Sequence, residues 1–379
     1  MTDNELHLRM IIHQALYDIE KSLNAKVTSM EKIKTVYGFN TTSFHIKVSL
    51  ANGNTTSYFL KFGNTERIRQ ELAGISFVEK FIPTPKVVLT SKEESFRFGW
   101  ILSEYISGKL MAENFLEIEN RNDLKLFCEL EKEKEALLRN LHDKIKTILS
   151  YKSYIGSRVN QLFYGRLFGE RYQLFFARDH NNLSSYFNHR LIVNGKKFQF
   201  TIGETLKMIQ EKYTPQADRE VMAIMGHGDA HHGNIILNSK IWFIDNEYAD
   251  FMPPFMELAK PYYNDFIGRL FFHHPKILNQ YFQIDHFEEK NNQLVFKISY
   301  PQKMINSLAI TQVKLQMRNK LVNNKTDDFL LLNDYLVLCH TLTRDPNAYP
   351  TESRLLFLVF IVILAQFDPF DPESIYKFF

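Results

Sequence analysis

Apolar residues recur at helical spacing between Glu5 and Leu23 (Leu8, Ile11, Ile12, Leu16, Ile19, Leu23), which predicts an opening helix. The pattern then shortens. Lys32–Val36 reads as a strand, YGFNTTS as a turn, and Phe44–Leu50 as a second strand of alternating character. Asn52-Gly53 is a strong hairpin signal, and Ser57–Phe62 is the return strand. Thr65–Phe81 places Ile68, Leu72, Ile75 and Val78 on one helical face, and Pro83 and Pro85 end it. Lys86–Thr90 and Phe98–Tyr105 supply two more strands. The order β-β-β-α-β-β suits a small lobe of antiparallel sheet covered by a helix.

Beyond Met111 the pattern is mainly helical. Asp123–Leu149 carries the stripe Leu130, Leu137, Leu138, Leu141 and Ile145, and its charge run, ELEKEKEALLRNLHDK, reads as a solvated face. Arg190–Phe200 is a hairpin turning at Asn194-Gly195, and Glu204–Tyr213 is a short helix. After Met256 everything reads as helical except the alternating stretch Leu294–Ser299. The expected class is α+β: an N-terminal lobe over residues 1–105 and a larger, mainly helical lobe over 106–379, joined by a hinge near Glu104–Gly108.

Composition sharpens this picture in three ways. With 15 glycines and 12 prolines in 379 residues, the chain has few breakers, which favours long elements. A net charge of +3 offers no field for a polyanion, so nucleic acid is not an expected partner. Cys128 and Cys339 are too few for a disulfide framework and point to a reducing compartment. The opening MTDNELHLRM lacks a signal-peptide core, and the longest apolar run, Leu355–Ala365, is too short to span a bilayer. A cytoplasmic protein without a membrane partner, monomeric or homodimeric, is expected.

The chemistry concentrates in MGHGDAHHGNIILNSKIWFIDNEYAD, Met225–Asp250. Ile235–Leu237 and Ile241–Ile244 flank an Asn238-Ser239 turn, which brings Asn234 and Asp245 to the same end of a hairpin. Two oxygen donors so placed suit a hard cation such as Mg²⁺, completed by phosphate oxygens and water. Asp229, five residues before Asn234, suits a group that orients an attacking hydroxyl.

The run His227-Gly228-Asp229-Ala230-His231-His232-Gly233-Asn234 resembles the HGDxHxxN signature of the aminoglycoside phosphotransferase and choline kinase-like families. Ile244-Asp245-Asn246-Glu247-Tyr248-Ala249 resembles the element that follows it there. The resemblance covers about residues 30–108 and 137–260. It implies a two-lobed protein kinase-like fold and transfer of the γ-phosphoryl of ATP or GTP to a hydroxyl of a small molecule such as a sugar, amino alcohol or aminoglycoside. By the same resemblance, Lys61 in YFLKFG holds the α/β-phosphates and Glu71 holds Lys61. Glu66 and Glu79 compete with Glu71 for that place. Asn40, Thr41 and Ser43 could donate hydrogen bonds to phosphate, although the loop has only Gly38 where protein kinases place several glycines. Backbone groups near Glu104 and Ile106 would meet the base. Asn234 and Asp245 would hold Mg²⁺, Asp229 would act on the acceptor hydroxyl, His227 would buttress the loop, and Glu247 would support the metal shell or the loop.

Two departures stand out: His232 occupies a position that is often proline, and Asn246 one that is often aromatic. His227, His231 and His232 with Asp229 also admit a transition-metal phosphohydrolase site, which leaves Lys61 and Glu71 unexplained. A protein side-chain kinase and an inactive kinase-like binding protein are the other readings of the same core. Tyr151–Tyr213 interleaves aromatic residues with Arg158, Arg166 and Arg171 and is expected to form one wall of the acceptor pocket, with Arg166 and Arg171 on the acceptor. Its alternative is plain core with snorkelling arginines. Acids and bases balance between Asp250 and Phe379, which argues against a polycationic acceptor.

Overall fold

The computed structural model describes residues 3–379 apart from 34–41, 92–97, 143–150, 154–157, 160–162, 164–166, 170–171, 173–174, 177–182, 215–219, 274–277, 279–280, 302–306, 322–331 and 344. The chain divides into two units. The first comprises Met1–Met111 with Gly233–Tyr248, and the second comprises Ala112–His232 with Ala249–Phe379.

The first unit is built on a five-stranded antiparallel sheet. Helix α1 (Asp3–Leu23) leads into β1 (Ala25–Lys32), β2 (Thr42–Leu50) and β3 (Thr55–Asn64). Helix α2 (Thr65–Val78), β4 (Val87–Thr90) and β5 (Phe98–Glu104) follow, and the sheet order is β1-β2-β3-β5-β4. The first described strand thus lies earlier than the Lys32–Val36 expected from sequence, of which residues 34–36 lie outside the described residues. Its burial alternates weakly between half-buried and exposed positions, so apolar patterning underreports it. Alternation along β3 decides the site. Leu60 and Phe62 join Ile11, Ala15 and Ile19 of α1 in the core on one face, while Lys61 points to the face covered by α2.

The Asn52-Gly53 hairpin does not use the two-residue turn its dipeptide favours. Gly53 alone is left-handed there (φ 83°); the Leu50 amide donates to the Asn54 carbonyl at 2.8 Å and the Leu50 carbonyl accepts the Gly53 amide at 2.9 Å around a three-residue loop. Asn194-Gly195 does use the tight form, with both residues at positive φ between Val193 and Lys196. The remainder of the first unit is a small sheet. Strand β6 (Lys109–Leu110) pairs with β7 (Ile235–Leu237), which pairs with β8 (Ile241–Phe243). The Phe243 amide donates to the Pro83 carbonyl at 2.9 Å and ties this hairpin to the chain after α2.

The second unit is mainly helical, but its strands exceed expectation. Gln283–Lys290 is a strand, not a helix, and turns at Asn291-Asn292 into Gln293–Ser299. Its residues QIDHFEEK place half-buried Ile284 and Phe287 among exposed positions and carry a register shift between Ile284 and His286, so strict alternation is lost. Gln293–Ser299 runs parallel to Arg190–Val193 and completes a four-stranded sheet. The apolar run near the C-terminus is a helix, Thr351–Leu364, buried from Leu356 to Leu364.

The charge run corrects the reading of a solvated face. On helix α4 (Leu124–His142), which follows α3 (Met111–Arg121), Glu131, Lys134 and Glu135 are buried on the same stripe as Phe127, Leu138 and Leu141. Lys134 Nζ lies 2.8 Å from Glu131 Oε2 and 3.7 Å from Glu135 Oε1. Glu131 also bonds the ring of His232, whose backbone amide donates to Asp265 Oδ1 at 3.0 Å. Burial alone would push the Glu131 carboxyl up, but Lys134 and His232 outweigh it and hold it at about 2. The stability this group contributes is therefore complete above its ordinary value of 4.5 and is lost as pH falls toward 2. Lys134→Met should remove the cation shared by two buried carboxylates and cost about 3–5 kcal/mol. Thermal melts at pH 7 check this, and a melting temperature unchanged from the parent would show that the triad does not support the fold.

Candidate functional site

Within the first unit, two chain segments, α2 and the chain around Asp245, converge on Lys61. Its ammonium lies 2.8 Å from Glu71 Oε2 and 2.7 Å from Asp245 Oδ1. Glu71 reaches it because α2 buries Ile68, Glu71, Ile75 and Val78 along one face, and Asn64 caps the helix by accepting the Arg67 amide at 2.7 Å. Glu66 instead pairs with Arg69 on the outside of α2, so Glu71 is the partner. Glu71 also accepts the Asn246 amide at 3.1 Å, which fixes the chain just after Asp245.

Asp245 sits in the left-handed region at φ 60°, a conformation aspartate tolerates better than most residues. Ile235 pairs with Phe243, and the Asn234 carbonyl accepts the Ile244 amide at 3.0 Å, so Asn234 and Asp245 do lie at one end of the β7–β8 hairpin. Glu247, expected near the metal shell or the loop, is gripped by Arg67, whose Nη2 lies 2.5 Å from Oε1 and whose Nε bonds Oε2. Carboxylate oxygens of Glu71, Asp245 and Glu247 all lie within 4.8 Å of one another.

Electrostatics follow from this crowding. Burial would lower the Lys61 ammonium, but Asp245 and Glu71 reverse it and raise its pKa above the ordinary value. Burial likewise opposes the charge on Asp245, yet Lys61 and Arg67 hold its carboxyl below the usual range. For Glu71, burial is larger than the pull of Lys61, and Asp245 adds like-charge repulsion, so its carboxyl is pushed up. Asp245 is thus an ionised carboxylate, its side chain one-third exposed (32%). With the amide of Asn234 it offers oxygen donors that fit a hard divalent cation.

In the second unit, strands Ile224–Gly226 and Asp250–Met252 pair and bracket the loop that carries Asp229. His227 is buried, and its Nδ1 accepts the Asp229 amide at 3.3 Å, a local brace on that loop. Gly228 is left-handed (φ 76°) and donates its amide to Glu257 Oε2 at 2.5 Å. Glu257 lies on helix α5 (Pro254–Tyr262). Asp229 Oδ1 lies 3.0 Å from Lys260 Nζ and 3.5 Å from His231 Nε2. His232 turns away to Glu131 and Asp265, so the three histidines do not converge as a ligand set.

Other expected residues are placed as follows. Ser43 pairs with Lys61 across β2 and β3, and its carbonyl accepts the Ile33 amide. Glu104 ends β5 and donates its amide to the Lys86 carbonyl at 2.9 Å, so that N–H is already engaged, while Ile106 is half-buried in the segment before β6. Asn40, Thr41, Arg166 and Arg171 lie outside the described residues. Arg158 donates to the Ala249 carbonyl at 3.3 Å. Sequence reasoning missed Arg67, Glu257 and Lys260. The first is legible only as the residue four before Glu71 on one helical face, and the others as an i, i+3 pair.

No protein-family model matches this chain, and no curated protein matches it in sequence. Solved structures do match. Aminoglycoside phosphotransferase APH(4)-Ia aligns at TM-score 0.51 and 9% identity, covering 96% of this chain and 97% of its own. A thermostable mutant of that enzyme, in a ternary complex with AMP-PNP and hygromycin B, gives TM-score 0.51 and 9% identity over 96% and 98%. At that identity the likeness speaks for architecture, and this chain has the protein kinase-like α+β fold seen in the aminoglycoside phosphotransferases.

Proposed function

We propose that the protein is an ATP-dependent phosphotransferase that moves the γ-phosphoryl to a hydroxyl of a small molecule. The observation that carries this reading is the contact of one buried lysine, Lys61, with both Glu71 and Asp245. A fold neighbour that binds AMP-PNP and hygromycin B supports it.

In this reading Lys61, held by Glu71, meets the α/β-phosphates, with Ser43, Asn40 and Thr41 near them and backbone groups around Glu104 and Ile106 toward the base. Asn234 and Asp245 hold magnesium, which when bound neutralises charge on the phosphates. Arg67 holds Glu247 in place beside Asp245. Asp229, braced by His227, accepts a hydrogen bond from the acceptor hydroxyl. The acceptor oxygen bonds to the γ-phosphorus as the bond to the bridging oxygen breaks, the electron pair leaves with ADP, and the hydroxyl proton passes to the Asp229 carboxylate. Arg166 and Arg171 contact the acceptor, so changing either to Ala should raise the acceptor KM and leave the ATP KM within about threefold.

The test is ADP release with and without Mg²⁺ over a panel of sugars, amino alcohols and aminoglycosides, with ATP and GTP compared as donors. Release that needs Mg²⁺ and rises with one acceptor class is expected. Absence of Mg²⁺-dependent nucleotide binding would overturn the reading.

A further inference from the structure

Lys260 lies outside the motifs that suggested phosphotransfer, yet its ammonium lies 3.0 Å from the loop carboxylate. We propose, resting on the phosphotransferase reading above, that Lys260 is a positioning residue: its ammonium keeps the Asp229 carboxylate ionised and oriented toward the acceptor hydroxyl. The geometry is local to the second unit. Helix α5 presents Glu257 and Lys260 three residues apart on one face. Glu257 takes the Gly228 amide at 2.5 Å, and Lys260 takes the Asp229 side chain at 3.0 Å. One helix thereby holds two successive loop residues, the first through the backbone and the second through the reacting group.

Burial makes this arrangement informative. Lys260 and Asp229 are each 5% exposed. Desolvating such a pair costs several kcal/mol per ion, and an apolar pair of similar volume often stabilises a fold as well or better. Stability alone therefore gives little reason for an ammonium there. Among the described residues, the charged and titratable groups facing Asp229 include Lys260 from α5, His231 on the same Oδ1 at 3.5 Å, His227 on its backbone amide, and Glu257 beside Gly228. A cation in contact with a carboxylate favours its ionised form and weakens it as a base. That suits phosphoryl transfer through a loose transition state, in which the proton leaves the acceptor oxygen only after that oxygen has begun to bond to phosphorus.

The experiment labels aspartate carboxyls with ¹³C in the full chain and assigns Asp229 by the resonance missing from Asp229→Asn. Its titration midpoint is then followed in the parent and in Lys260→Arg, Lys260→Gln and Lys260→Met. The two neutral variants should raise the midpoint by about one pH unit or more, and Lys260→Arg should keep it near the parent. In the same variants kcat should fall about tenfold or more with the ATP KM within threefold, and Arg should restore kcat. Having two neutral variants lets one report if the other fails to fold. Identical midpoints in the parent and the neutral variants would overturn the proposal, even if their melting temperatures fall. The titration needs no substrate, so a parent protein inert toward every acceptor would sink the phosphotransferase reading while the coupling of Lys260 to Asp229 is still decided.

Discussion

Asp229→Asn is expected to lower kcat by about 10²-fold or more, the usual scale for a lost proton acceptor. The amide preserves shape and can still accept a hydrogen bond, so what is removed is the charge. The effect should fall on turnover. Nucleotide affinity should change little, because Lys61, Glu71 and Asp245 form their contacts without Asp229. A secondary cost is expected in stability: Lys260, 6% exposed at its side chain, loses its carboxylate counter-ion. Titration calorimetry with Mg-nucleotide and steady-state assays separate the two effects. Normal turnover in this variant would remove Asp229 from the reaction.

Lys61→Met should abolish measurable phosphotransfer and also weaken the fold. The methyl-capped side chain keeps bulk but leaves Glu71, Asp245 and Glu247 as three carboxylates within 4.8 Å. Breaking a buried pair costs about 3 kcal/mol at the low end of measured cases, a fair figure here because Asp245 keeps partial access to water. Glu71, already pushed up by burial and its acidic neighbours, is the group expected to take up a proton in compensation. The melting temperature of Lys61→Met should therefore rise more steeply than that of the parent as pH is lowered from 8 toward 6, because the parent's Glu71 is raised less. A variant as stable as the parent across that range would mean that Lys61 is not the charge that balances this cluster.

Much of the first unit could be read from sequence because its signals are local. The Asn52-Gly53 turn, the proline stop after α2 and the strand-to-helix order each involve neighbours in the chain. The pairing of Lys61 with Glu71 was also within reach, since ten residues separate them across one strand-to-helix junction. What escaped depended on partners far apart. Glu131, Lys134 and Glu135 look like solvent-facing charge until His232, 101 residues later, is known to lie against Glu131. The strand Gln283–Lys290 was missed because its pairing with Gln293–Ser299, not its own composition, makes it a strand. The grip of Arg67 on Glu247, a contact spanning 180 residues, was likewise beyond local reading.

The insertion of Gly233–Tyr248 into the first unit bears on how the protein is made. Lys61 and Asp245 are 184 residues apart. At ribosomal speeds of roughly 5–20 residues per second, Lys61 leaves the exit tunnel about ten to forty seconds before its partner. During that interval the β6 edge has no β7 to pair with, and a lysine destined for burial faces a single carboxylate. A nascent chain of this design is thus exposed to chaperones and proteases at one defined stage, and the translation rate over the 184 residues between Lys61 and Asp245 sets how long that stage lasts.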